Sequence, residues 1–99
     1  MRYKPVTTES LVYRFGNELK LSMRLQTQAI ELLTISRKAW LKSIGKDPKG
    51  LAAAAIYITC KNSDERRTQA EIADIARITE VTLRTRVKQI KSYTNLPDD

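Results

Sequence analysis

Residues 66–91, RRTQAEIADIARITEVTLRTRVKQIK, decide how this chain is read. The spacing predicts two short helices joined by a tight turn. In the first, Thr68 and Glu71 form a capping box, the hydroxyl accepting from an orphan amide while the carboxylate reaches back. Ile72, Ala73, Ile75 and Ala76 supply one apolar face. In the second, Thr79 is the expected cap, and Glu80 in the first turn suits the positive end of the helix dipole. Leu83, Val87 and Ile90 fall on one side at helical spacing, and Val81, Arg84, Thr85, Lys88 and Lys91 fall on the other. A basic outward face with a valine near its N-terminal end is the layout of a helix that enters a DNA major groove. The same pattern also fits a capped helical pair in an all-α core. The turn holds Arg77 where helix-turn-helix units often place glycine, because φ is positive there. Either Arg77 adopts the left-handed conformation, at roughly 1 kcal/mol, or the turn has a different geometry. Ile78 is the residue expected to plug the gap between the two helices.

The chain has 99 residues, a length that suits one domain. With 41% hydrophobic but only 6% aromatic residues, its core must be mostly aliphatic. Three glycines, three prolines and no alternating β-branched run predict long helices, short turns and no sheet. Seven of the Arg and Lys residues lie in 66–91 against Glu71, Asp74 and Glu80, so +4 of the net +7 sits there. That clustering points to a polyanion or an acidic partner. A single cysteine, Cys60, and no histidine exclude an internal disulfide and an ordinary zinc site. Cys60 lies in an apolar run and reads as a buried, inert thiol. There is no Gly-rich phosphate loop and no nucleophile constellation, so neither an enzyme nor a cofactor is expected. The segment MRYKPVTTES lacks the apolar stretch of a secretory signal, and no apolar run reaches membrane-spanning length. A soluble intracellular chain is expected.

Outward from the deciding stretch, residues 1–6 read as an extended arm, since Pro5 disfavours helix at Lys4. A first helix is expected over residues 8–20, with Leu11, Val12, Phe15 and Leu19 inward. Ser22 starts a second, to about Ser43, with Ala29, Ile30, Leu33, Trp40, Leu41 and Ile44 on its main stripe. Leu25, Leu32 and Ile35 lie off that stripe and imply contacts on further sides. Gly45 closes this helix, and Asp47-Pro48 is a cap followed by a favoured first helical residue. The third helix, GLAAAAIYITC, is apolar nearly all round and should be buried on every side. Residues 94–99 read as a frayed tail.

GKDPKGLAAAAIYIT followed by RRTQAEIADIARITEVTLRTRVKQI strongly resembles the second cyclin-like repeat of transcription factor IIB, in the manner of the archaeal transcription factor B. The similarity runs from about Thr8 to Ile90. It implies a five-helix cyclin fold around the alanine-rich third helix, over residues 7–93, with the helix-turn-helix at 68–92. In this family two repeats clamp the TATA-binding protein on bent promoter DNA. The second repeat reads an element just upstream of the TATA box, which orients transcription, and the assembly recruits RNA polymerase. The base-reading positions of the TEVTLR motif fall on Val81 and Arg84. The family also has an N-terminal zinc ribbon, a reader segment and a first repeat, which 99 residues with one cysteine do not supply, so the chain is expected to be one module. Arg77 departs from the family's usual turn glycine. A cytoplasmic, nucleoid-associated location is implied for an archaeal chain, and a nuclear one for a eukaryotic chain.

The sequence therefore favours a monomeric promoter-binding module with double-stranded DNA and the TATA-binding protein as partners. RNA polymerase would be reached through the full-length factor. Thr79, Thr85, Arg66, Arg67, Arg86, Lys88 and Lys91 are the candidates for backbone or additional DNA contacts. A cyclin-like adaptor that grips protein rather than DNA is the alternative. A dimeric repressor would need an apolar self-complementary patch, which no spare amphipathic helix offers.

Overall fold

The computed structural model describes residues 8–43 and 48–94, with the side chains of all but residues 36–43 and Tyr93. It contains five helices: α1 (Thr8–Glu18), α2 (Met23–Ser43), α3 (Pro48–Lys61), α4 (Gln69–Ala76) and α5 (Glu80–Thr94). No strand occurs among the described residues. The expected arm at 1–6, the Gly45 stop, the Asp47 cap, Ile44 and residues 95–99 lie outside the described residues, as do the side chains of Trp40 and Leu41.

The third helix is the axis of the molecule. Ala52, Ala53, Ala54 and Ala55 have no exposed surface, and Leu51, Ile56, Ile58 and Cys60 are buried around them. Packing α3 against α1, α2, α4 and α5 together requires this composition. Four successive methyl side chains clothe every face of one helical turn, so neighbours approach from all directions without meeting a branched chain. Burial pushes the Cys60 thiol up, against weaker lowering by its hydrogen bond to the Arg67 backbone and by the Arg67 charge. This is the environment of an inert thiol.

Each outer helix presents a stripe to this axis. On α1 it is Leu11, Val12 and Phe15, followed in the turn by Leu19 and Leu21. On α2 the buried row is Leu25, Ala29 and Leu33, with Ile30 and Leu32 half-buried at its flanks. Leu25 thus belongs to the main stripe rather than lying off it. Ile35 is 73% exposed and does not make the expected second-side contact. It borders an open hollow with Leu32, Ile58 and Asn62 instead of packing closely. A buried polar residue, Gln26, sits in the space left by Gly16, where a Cβ would lie 2.5 Å from the Gln26 Cγ. Its amide donates to the Asn17 Oδ1 and the Leu21 carbonyl.

The α1–α2 and α4–α5 turns use the same device. The expected first helix to residue 20 ends instead at Glu18, because Lys20 takes a left-handed conformation, φ 60°. The Leu21 N–H returns to the Gly16 carbonyl and the Lys20 N–H to the Asn17 carbonyl. Arg77 repeats this geometry after α4 at φ 60° and ψ 46°, with Ile78 N–H on the Ala73 carbonyl and Arg77 N–H on the Asp74 carbonyl. These are Schellman closures, ordinarily made with glycine. The first alternative for the turn therefore holds: Arg77 accepts the left-handed state, and Ile78 packs half-buried against the core. The capping box also forms as expected. Thr68 Oγ1 accepts from Glu71 N–H at 3.1 Å, and the Glu71 carboxylate accepts from Thr68 N–H at 2.9 Å. At the far end, α5 runs through Thr94, which belongs to the helix rather than to the tail.

The α3–α4 loop clamps the α1–α2 turn. Ser22 caps α2, and its own N–H donates to Glu65 Oε1 at 2.8 Å. Arg67 donates from Nε and Nη2 to the Leu19 carbonyl, at 3.1 and 2.9 Å. The backbone donors Ser22 and Thr68 hold the Glu65 and Glu71 carboxyls below their ordinary value.

Three outcomes follow from this packing. Ala53→Leu or Ala54→Leu should lower stability by about 1–3 kcal/mol in urea unfolding, since no neighbour of α3 has room to retreat. Arg77→Gly should raise it by up to about 1 kcal/mol, read as a higher unfolding midpoint, because glycine adopts φ 60° without a Cβ clash. The two depressed carboxyls contribute stability that is complete above the ordinary glutamate value and is lost as pH falls through their folded values. The urea midpoint should therefore drop on acidification below about pH 4.3. Glu71→Gln, which keeps an acceptor for the Thr68 amide, should remove its share of that dependence.

Candidate nucleic-acid interface

Thr79 starts α5, its Oγ1 accepting from Thr82 N–H at 3.0 Å and donating to Thr82 Oγ1 at 2.9 Å. Leu83, Val87 and Ile90 then point into the core, which fixes the rotation of the helix. That rotation turns Val81, Arg84, Thr85 and Lys88 to solvent. Val81 is 64% exposed, so core packing does not account for a valine there.

Arg84 is held on two sides. Its Nη1 donates to Gln69 Oε1 at 3.1 Å and lies 3.9 Å from Glu80 Oε1 one turn earlier. Gln69 in turn donates from Nε2 to the Tyr57 hydroxyl at 3.3 Å. Arg84, Gln69 and Tyr57 border a shallow cavity of about 170 Å³ between α3, α4 and α5, lined also by Lys61, Lys88 and Lys91 and by the buried Leu83 and Val87. A second hollow of about 200 Å³ adjoins it, where Tyr57, Lys61, Arg66, Arg67, Thr68 and Gln69 meet. Cations from the end of α3, the loop before α4 and the length of α5 thus share one continuous surface.

The nominated residues separate into two groups. Val81, Arg84, Lys88, Lys91 and Arg66 lie on or beside this surface. Arg67 does not present its guanidinium outward in the same way: it donates to the carbonyls of Leu19, Glu65 and Arg66. Arg86 lies on the opposite flank of α5, across α3 at Gly50, where a Cβ would be 3.1 Å from its Cγ, and donates to Gln89. Thr79 is engaged in capping, and the Thr85 hydroxyl donates to the Val81 carbonyl. Lys61 and Gln69 were not among the sequence candidates. For Lys61 a signal existed, since Tyr57 stands four residues before it, and the ammonium lies 6.0 Å from that ring's centroid. Gln69 carried none, because its partners are 12 and 15 residues away.

A row of cations around a projecting helix is suited to a polyanion, and the Val81–Arg84 pair adds an apolar contact beside a multidentate donor. Among the described residues no cluster of three or more His, Cys, Asp or Glu could hold a metal ion. No described helix is long and apolar enough to cross a membrane.

Comparison with known proteins agrees with this architecture. Residues 2–93 match the family model described as the transcription factor TFIIB repeat. The chain is 49% identical over 86 residues to transcription initiation factor IIB of Pyrodictium occultum, covering 87% of this chain and 27% of that protein. It is 48% identical over 79 residues to the protein of the same name from Pyrococcus furiosus, covering 80% of this chain and 26% of that one. A shorter relative from Haloarcula vallismortis, also named transcription initiation factor IIB, is 42% identical over 89 residues, covering 90% of this chain and 77% of its own length. The chain thus spans little more than a quarter of the first two. With four helices around a buried fifth and a family match over nearly its whole length, the chain belongs to the transcription factor TFIIB repeat family, an all-helical, cyclin-like and non-enzymatic family.

Proposed function

We propose that the chain is the second repeat of an archaeal-type transcription initiation factor IIB, acting as its promoter-reading module. On this reading α5 enters the major groove upstream of a TATA box, next to the TATA-binding protein. The rest of the factor recruits RNA polymerase. The observation that carries the reading is the outward face of α5, where a 64% exposed Val81 stands one turn from Arg84 with Lys88 beyond. Arg84 would donate to guanine O6 and N7, and Val81 would meet a thymine methyl or a pyrimidine edge. Arg66, Lys88, Lys91 and the newly placed Lys61 would follow the phosphates. Arg67 and Arg86, engaged within the fold, would contribute less to DNA than the sequence suggests.

A single helix-turn-helix makes few phosphate contacts, so the isolated chain should bind weakly, with a steep salt dependence that the TATA-binding protein mitigates by adding a second surface on the same DNA. The test is a mobility shift on TATA-containing duplexes with good or scrambled upstream sequence, with and without the TATA-binding protein. Arg84→Ala should cost about 1–3 kcal/mol on the good element and flatten the distinction between the two. Lys88→Ala should weaken both about equally and lower the salt slope by roughly 1. Unchanged discrimination by Arg84→Ala removes Arg84 as a base reader. Absence of DNA binding even at low salt with the TATA-binding protein present favours the protein-gripping adaptor.

A further inference from the structure

We propose that Gln69 is a positioning residue for sequence discrimination: its side-chain amide, anchored on the Tyr57 hydroxyl, presets the Arg84 guanidinium for the groove. The inference rests on the reading of Arg84 as a base contact and deepens it.

Three observations carry it. Gln69 is the first residue of α4, directly after the Thr68 cap, and the reciprocal capping box on either side of it fixes the backbone from which its side chain starts. Its amide is used at both ends, with Nε2 donating to Tyr57 Oη at 3.3 Å and Oε1 accepting from Arg84 Nη1 at 3.1 Å. A guanidinium has donors only, so the oxygen must face Arg84 and the NH2 must face Tyr57, which gives the relay a single polarity. Tyr57 in turn stands on α3, the central helix of the fold, so the relay links that axis to an exposed side chain on α5.

Among the described residues, Arg84 meets Gln69 and Glu80 through Nη1. The edge carrying Nε and Nη2 remains for a base, and that edge has the two parallel donors that guanine O6 and N7 accept. Glu80 alone would hold the guanidinium poorly, since the pair is 3.9 Å apart and about half exposed on both sides. A long flexible side chain loses rotamer freedom when it docks, and a partner that orders it beforehand removes that loss from binding. Gln69 need not touch DNA to do this.

The experiment measures binding of the chain, with the TATA-binding protein, to two TATA duplexes. One carries the upstream element that the wild-type chain selects from a randomised library, and the other carries a scrambled element. Gln69→Ala should lower the ratio of the two affinities by roughly 2- to 10-fold, leaving the scrambled duplex and the salt slope unchanged. Gln69→Glu, which retains an acceptor for Arg84, should preserve the ratio. Tyr57→Phe should reproduce the alanine effect in weaker form. In an Arg84→Ala background, Gln69→Ala should change nothing further. Thermal melting verifies that each variant is folded. If Arg84→Ala leaves the ratio intact, the DNA reading itself fails. If Arg84→Ala flattens the ratio and Gln69→Ala does not, only the positioning role fails. Equal weakening on both duplexes, a further loss in the Arg84→Ala background, or tighter binding by Gln69→Ala likewise overturns it, assigning Gln69 to a phosphate, to a base or to a restraint on Arg84.

Discussion

Burial of the central turns of α3, from Gly50 to Ile56, is the constraint on which the rest of the molecule depends. Those turns have nowhere to place a charge, so polar function falls to the ends of α3 and to the helices around it. Its four alanines hold those helices close, and the small side chains leave their mutual orientation determined by the larger stripes they bring. The rotation of α5 is the clearest case. Leu83, Val87 and Ile90 key into the core, and the geometry of a helix then dictates that Val81, Arg84 and Lys88 face outward. The basic outer face of α5 is the reverse side of a packing decision.

Tyr57 and Lys61 show how the buried axis nevertheless reaches the surface. Both lie toward the C-terminal end of α3, where the helix emerges from between its neighbours, and there its side chains border the cavity beside α5. Lys61 lies over the Tyr57 ring while Gln69 takes the hydroxyl, so one aromatic residue organises both a cation and an amide. The two glycines within the described residues, Gly16 and Gly50, likewise serve proximity rather than turning. One admits the buried Gln26 and the other lets Arg86 cross α3.

Much of this was legible in the chain because it was encoded locally. The capping box at Thr68–Glu71, the Thr79 cap, the Pro48 start and the all-round apolar run each depend on residues within a few positions of one another. Short-range periodicity likewise separated the inner and outer faces of α5. What the sequence concealed was long-range. Arg67 and Arg86 have the composition of phosphate contacts, and only the tertiary fold shows their guanidinium groups turned to a distant carbonyl and across another helix. Gln69 was invisible for the same reason. Ile35 was misjudged because periodicity tells which residues share a face but not how many faces a neighbour covers. Lys20 ended α1 early because a left-handed lysine leaves no trace in composition, whereas glycine at that point would have announced the turn.

The clamp from the α3–α4 loop joins positions far apart in the chain, Glu65 to Ser22 across 43 residues and Arg67 to Leu19 across 48. Contacts of such span give the fold a non-local wiring. The segment from α4 to α5 therefore cannot fray as an independent hairpin: releasing α4 exposes Ile72 and Ala73, and also strips the turn that ends α1 of its guanidinium and the cap of α2 of its carboxylate. Opening at one end of the chain and opening at the other become the same cooperative event, with amide protection shared between them. A ligand that grips α5 alone would thus stabilise α1 as well, although the two helices are at opposite ends of the sequence.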